Sequence, residues 1–431
     1  MKLRSFVLLS ISMSALSRVA PASVIVVDPS GSGFTEIQPA VDAAVDGDTI
    51  LIRTGAYAGF AVRDKALAIV GDAGSDVRVD GAIRIGMLAS GKTITLANLK
   101  AYGSSGDSIA GHGLYLSHNT GRVRVEDSHF VGRSSPPDAF AGINGFDAVE
   151  IQDCRDVALT RVVALGGSGG VFNGIGNHSS GAGTAAGNST VTVFDSTLQG
   201  GTGLPANPNM VGANGGNGGN GCQLDQAWLF ASGSEFVGGD GGLGGAGFGL
   251  SMAAGGDGGN GIDLTFSAHA FALDDVLESG LGGGAGNGPD SESGSSGAPH
   301  SESFGSVYAV VQGLSRHLMA PTSMIRNTTT AISLSGAPGD SVSLLIARQP
   351  GFDYDPASTG NSGVLMLAEP IRAIHVGVLP ASGVLSIDLP VITLAPGLDS
   401  TLLQLQARFT NIHGDSLLSG PRALVVLGSK F

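Results

Sequence analysis

The chain has 431 residues, of which 42% are hydrophobic and only 13% charged, with 71 glycines and a formal net charge of −14. That charge repels nucleic acid and other polyanions unless a metal ion mediates the contact. Glycine in such excess, without collagen's strict three-residue period or the charge density of a disordered chain, points to loops on an ordered apolar scaffold.

Lys2 and Arg4, an apolar run over 6–16 and Ala20-Pro21-Ala22 ahead of Ser23 have the layout of an export signal, too short for a stable membrane span. Residues 1–22 are therefore expected to be removed, leaving a mature chain that starts at Ser23 in an extracellular or cell-surface location. No later apolar run approaches about 18 residues, so no transmembrane segment is expected in the mature chain. Cys154 and Cys222 fall about two repeats apart, roughly 10 Å at the spacing of stacked strands, which is too far for a disulfide. Two buried free thiols are expected.

Residues 24–27 read as a strand. Ile37, Val41, Ala44 and Val45 then have helical spacing. Thr35 with Gln38 could form a capping box, or Gln38 could cap a helix opened by Pro39. A turn at Gly47-Asp48 leads into a strand over 49–53. These residues carry a resemblance. Gly33, Phe34, Ile37, Gln38, Ala40, Val41, Asp42, Ala43 and Ala44, then Gly47, Asp48, Thr49, Ile50, Gly55 and Tyr57, match the N-terminal cap of the pectin lyase-like family. The resemblance implies a right-handed parallel β-helix whose open end is covered by the short helix. It carries no catalytic residue with it.

A unit of strand, polar step, apolar residue and glycine loop recurs, most plainly at 189–221. Aligning its copies puts Asn98, Asp127, Thr160, Asp195, Gly233 and Asp274 in register, by subtraction 29, 33, 35, 38 and 41 residues apart. A shorter second strand precedes several copies, at His112, Asn144, Asn220 and Asn260. A strand repeat of this length is a solenoid whose coils bury apolar residues against their neighbours, with the growing period in glycine-rich loops over about 200–303. The loop glycines are expected to supply positive φ. Asp and Ser at the coil corners are expected to hydrogen-bond backbone amides.

Closing strands are expected at 307–311 and 324–326, so the solenoid spans 23–325. From 330 glycine thins and strand-like segments alternate with turns, which predicts a β-sandwich over 330–431. The segments beginning at Gly336, Gly383, Leu402 and Leu417 resemble a C-terminal β-domain of secreted bacterial proteins of unassigned function. The predicted fold class is thus all-β: a right-handed parallel β-helix with a short N-terminal capping helix, followed by a small β-sandwich.

Three enzyme classes bear on such a scaffold. A polygalacturonase-like hydrolase would need its motifs in order, but Gly111-His112-Gly113 and Asp274-Asp275 occur in the wrong order and several coils apart. Pectin methylesterase motifs have no counterpart. A polysaccharide lyase needs a strong base, and no Lys or Arg lies between Arg161 and Arg316, which leaves the early coils. There Arg124, Glu126 and Asp127 are the candidate catalytic residues, set against a surface ion-pair row as the plainer reading. Gly258-Gly259-Asn260-Gly261-Ile262-Asp263 matches the start of a calcium-binding nonapeptide, making Asn260 and Asp263 the Ca²⁺ candidates, without tandem copies. Trp228 faces outward if Leu229 aligns with Val191 and inward if Gly233 marks a bulge. The expected function is a monomeric, non-catalytic secreted or cell-surface module that binds polysaccharide or cell-surface components along its solenoid face. The alternative is a polysaccharide-active enzyme, lyase or glycoside hydrolase, using carboxylates on the outer face of the early coils.

Overall fold

The computed structural model describes residues 22–431 except 32, 107, 136–143, 170–177, 207–212, 246–252, 288–290, 355–360 and 390–391, so all but the last residue of the expected export signal lies outside the described residues. The described chain is nearly all β, with a single helix, Ile37–Ala43. No helix among the described residues is long and apolar enough to cross a membrane.

The helix forms where its apolar spacing predicts, but neither expected cap does. Glu36 is the N-cap and makes no side-chain capping bond, so Pro39 falls inside the first turn, where its missing N–H costs nothing. Gln38 is used for docking instead: its Oε1 accepts from Ala61 N–H at 2.7 Å and its Nε2 donates to Asp42 at 2.8 Å. Ile37, Ala40, Val41 and Ala44 are buried while Val45 is exposed, so Ala40 takes the core place expected of Val45.

Two large parallel sheets follow. Ten strands, from Val24–Val27 to Val307–Val311, form the first in chain order. The second has fourteen strands and forks at the long strand Val77–Gly86, whose first half pairs with Lys100–Tyr102 and whose second half pairs with Leu114–Ser117. Each later repeat adds one strand to the first sheet and one to each branch of the second. The inward side chains, among them Val123, Val125, Phe130, Val149 and Ile151, build one continuous apolar core. Cys154 and Cys222 are buried in it as free thiols.

After each first-sheet strand the chain turns through a residue with left-handed backbone: Asn98, Asp127, Arg161, Asp195, Gly233 and Asp274, with φ between 47° and 63°. Five of the six are those aligned from sequence. In the third repeat Thr160 pairs with Glu126, so Arg161 occupies the corner in place of Thr160. β-branched Thr160 suits the strand and is disfavoured at φ > 0, which moves the corner one residue on.

The glycine loops are ordered arms stacked from repeat to repeat. Gly201 N–H donates to Gly181 O at 2.9 Å, and the series Gly219 to Gly201, Gly239 to Gly219 and Gly259 to Gly239 continues at 2.8 Å. None of the described glycines in 200–221 or 238–261 has positive φ, contrary to expectation; Gly233, which does, is a corner residue outside the arms. The demand for glycine comes from the neighbouring arm: a Cβ on Gly239 would collide with the carbonyl oxygen of Gly201. Every third residue points outward and closes the edge. Asn214, Asn217 and Asn220 accept the backbone N–H of Ala254, Asp257 and Asn260 at 3.0, 2.9 and 2.8 Å. This local Gly-Gly-X period matches a three-residue extended helix, whose outward amides need external acceptors.

The strands after 316 are antiparallel except where short edges meet. His317–Met319, Thr330–Ser335 and Val384–Leu389 make a three-stranded sheet, and Ser323–Ile325, Arg422–Leu427, Ser400–Thr410, Ser341–Ala347 and Arg372–Val378 run in order through a seven-stranded one. Ser323–Ile325, expected to close the solenoid, instead pairs with Arg422–Leu427. Leu334, Val342, Leu344, Phe409 and Val426 share an apolar core between the two sheets. The seven-stranded sheet and its connections lie on the outer face of the first parallel sheet. Val425 and Leu427 pack on Leu51 and Val70, and Val364 and Met366 pack on Phe194 and Phe230.

Candidate functional site

The early-repeat candidates lie under this cover. Arg124 is 1% exposed; its guanidinium grips Asp156 at 2.7 and 2.9 Å and donates to Gly351 O at 3.0 Å. Glu126 is also 1% exposed; it accepts from Ala423 N–H at 2.8 Å and faces Arg422 at 2.9 Å. Asp127, at the corner, sits between Arg161 and Arg422, the latter at 2.6 Å. The structure therefore brings the three candidates together, but as a buried lock between the solenoid and the C-terminal sheets and not as a surface row. Burial pushes Glu126 up to about 7 despite the pull of Arg422. Glu126 is closed to solvent, whereas the Asp127 side chain keeps 24% exposure at its corner.

The other acidic motifs are likewise engaged in structure. Asp274 accepts from Ser315 N–H and Oγ at 2.9 Å, Asp275 accepts from Ser234 N–H at 2.7 Å, and Asp195 pairs with His317 Nδ1 at 2.6 Å. Asn260 belongs to the outward ladder, its Oδ1 accepting from Ala298 N–H at 2.8 Å. Asp263 accepts from Ser301 and, at 3.4 Å, from Asn220 and Asn260. Trp228 follows the outward register, Leu229 pairing with Val191, yet it is enclosed by Phe271, Phe352 and Tyr354 at ring separations of 5.0–5.9 Å.

An exposed row remains along the corners that follow one branch of the second sheet. His118, Asp153, Asn188, Gln226, Phe266 and Phe304 all have left-handed backbone there, and bulky phenylalanines are outliers in that region. Asn188 Nδ2 donates to Asp153 at 2.8 Å, continuing the polar part of the row. Phe266 and Phe304 stack face to face, centroids 4.8 Å apart and planes within 4°, while remaining 50% and 72% exposed. Asn188, Gln226, Phe266, Ser267 and Phe304 line an open depression beside the stack. The sequence reading missed this feature. Its signal was the recurrence of Thr-Phe-Ser at 265–267 and Ser-Phe-Gly at 303–305 after equivalent strands.

A second cluster joins two repeats at the mouth of the loops. His112, Asp147 and Glu150 place one ligand atom each within 4.8 Å of the others. Burial and the neighbouring Asp147 push Glu150 up to about 8, and burial holds His112 below its ordinary value. His112, read from sequence as a strand-start residue, does stand just before Leu114–Ser117.

No protein-family model matches the chain, and no curated protein matches it.

Proposed function

We propose that the chain is a secreted or cell-surface right-handed parallel β-helix of the pectin lyase-like type, completed by a C-terminal β-sandwich, that binds a neutral linear glycan without cleaving it. The observation that carries this reading is the Phe266–Phe304 stack, an exposed aromatic platform following polar corner residues of the preceding repeats. Exposed apolar surface of this kind marks interaction sites, and a row with one residue per repeat suits a polymer with a regular repeat of its own. The enzyme alternative has less support, because Glu126 and Asp127 are held by Arg422 beneath the C-terminal sheets.

Affinity electrophoresis through a panel of soluble neutral polysaccharides tests the reading. Phe266→Ala and Phe304→Ala should each weaken retention about tenfold, equivalent to ~1.4 kcal/mol, without lowering the melting temperature. Absence of retention on every glycan, or retention unchanged in both variants, would refute it. A parallel screen for reducing ends or unsaturated products that finds turnover abolished by Asp127→Ala would establish the enzyme instead.

A further inference from the structure

Two successive loops deliver metal-binding groups to one place. His112 stands at the end of the connection after Lys100–Tyr102, Asp147 at the end of the corresponding connection one repeat later, and Glu150 on the strand Val149–Gln152, paired with Tyr115 of the repeat before. We propose that His112, Asp147 and Glu150 form a binding site for a divalent transition metal, of which Zn²⁺ is the representative, bridging two neighbouring repeats. Their ligand atoms lie within 4.8 Å of one another, so that small side-chain movements would gather all three around one ion.

The histidine carries the independent argument. It is only 9% exposed, and among the described residues its ring makes one hydrogen bond, from Nδ1 to the carbonyl oxygen of Asp147 at 3.0 Å. An imidazole that donates one N–H to a backbone carbonyl keeps its lone pair on the other nitrogen, the arrangement that orients metal-ligating histidines. Phe146 meets the ring edge-on at 5.3 Å and holds its plane. The carboxylates are oriented in the same manner. Ala182 N–H donates to Asp147 Oδ1 and Gln152 Nε2 to Glu150 Oε1, each at 2.5 Å, so one oxygen of each carboxylate is anchored, while the two carboxyl groups also hydrogen-bond each other by sharing a proton that a bound cation would displace. One nitrogen and two carboxylates form a mixed donor set suited to zinc, manganese or cobalt, and too few oxygens for calcium. Three protein ligands leave a position for water.

The test is a Zn²⁺ titration of the chelator-treated full chain by competition with a chromophoric chelator, repeated with His112→Ala, Glu150→Gln and the exposed control His300→Ala. One ion per chain is expected, with affinity lowered at least about tenfold in both site variants and unchanged in the control. Cobalt should give visible absorption bands that Glu150→Gln alters, a readout independent of stability. Should His112→Ala not fold, Glu150→Gln, which keeps size and shape, decides the matter alone. No binding, or binding equal in wild type and Glu150→Gln, would overturn the proposal. The glycan assay does not bear on it.

Discussion

Asp127 and Arg422, separated by 295 residues of chain, meet at 2.6 Å where the corner of an early repeat touches a strand of the C-terminal sheet. Arg422 is fully buried and also faces Glu126 at 2.9 Å, so one guanidinium serves two carboxylates from the solenoid. Removing one partner of a buried pair leaves an uncompensated charge, which costs more than the pair itself contributes.

Arg422→Met should therefore lower stability by about 3–5 kcal/mol in denaturant unfolding. Adding Glu126→Gln to that background should restore part of the loss above neutral pH, because the buried side chain left without Arg422 then stays neutral without having to bind a proton. Equal losses in the single and double variants would contradict this account of the contact.

Stability should decline between pH 5 and pH 8. Burial raises Asp275 and Glu126 to about 7 from ordinary values of 3.8 and 4.5, and the hydrogen bond to Asp195 raises His317 above 6.5. In each case the folded chain binds the proton more tightly than the unfolded chain. The stabilisation is complete below the unfolded pKa and is lost as pH rises through the folded one. Melting temperatures across this range should fall, and Asp275→Asn should flatten the slope.

Gly239→Ala should destabilise by about 1–3 kcal/mol, the usual range for forced overpacking, because the new methyl meets a backbone carbonyl that cannot turn aside. Gly33→Ala, with open space around its position, should stay within about 0.5 kcal/mol. Thermal unfolding of the two variants checks the contrast.

Trp228 is the sole tryptophan and lies between solenoid and C-terminal aromatic rings. Its emission should be blue-shifted in the native protein and move to the red in Tyr354→Ala, whose ring stands 5.0 Å from the indole. A spectrum unchanged by that substitution would mean that the cover does not sit on Trp228 in solution.

What was legible in the sequence was local or repeated. Alternating apolar residues specify strands buried on their inner side. Asp and Asn one residue past those strands specify corners, because short polar side chains tolerate left-handed backbone. The same rule, applied strictly, would have located Arg161 as the corner only once the neighbouring strand's register was known. The apolar spacing of the first helix placed it correctly, whereas its caps depended on Gln38 reaching Ala61, which spacing along the helix does not encode.

Tertiary structure alone decided the rest. The outer side chains of Arg122–Glu126 alternate as an exposed face would, and only the C-terminal sheets lying across them turn Arg124 and Glu126 into interior groups. The arm glycines are required by the carbonyls of adjacent arms and not by their own φ angles, so no local pattern states the reason. His112 and Glu150 come from successive repeats, 38 residues apart by subtraction, and become neighbours because the stack returns the chain to the same corner. Sequence patterns record what each residue needs from its immediate backbone. Cover, close approach and convergence are set by the distance between segments, which exists only once the chain has closed on itself.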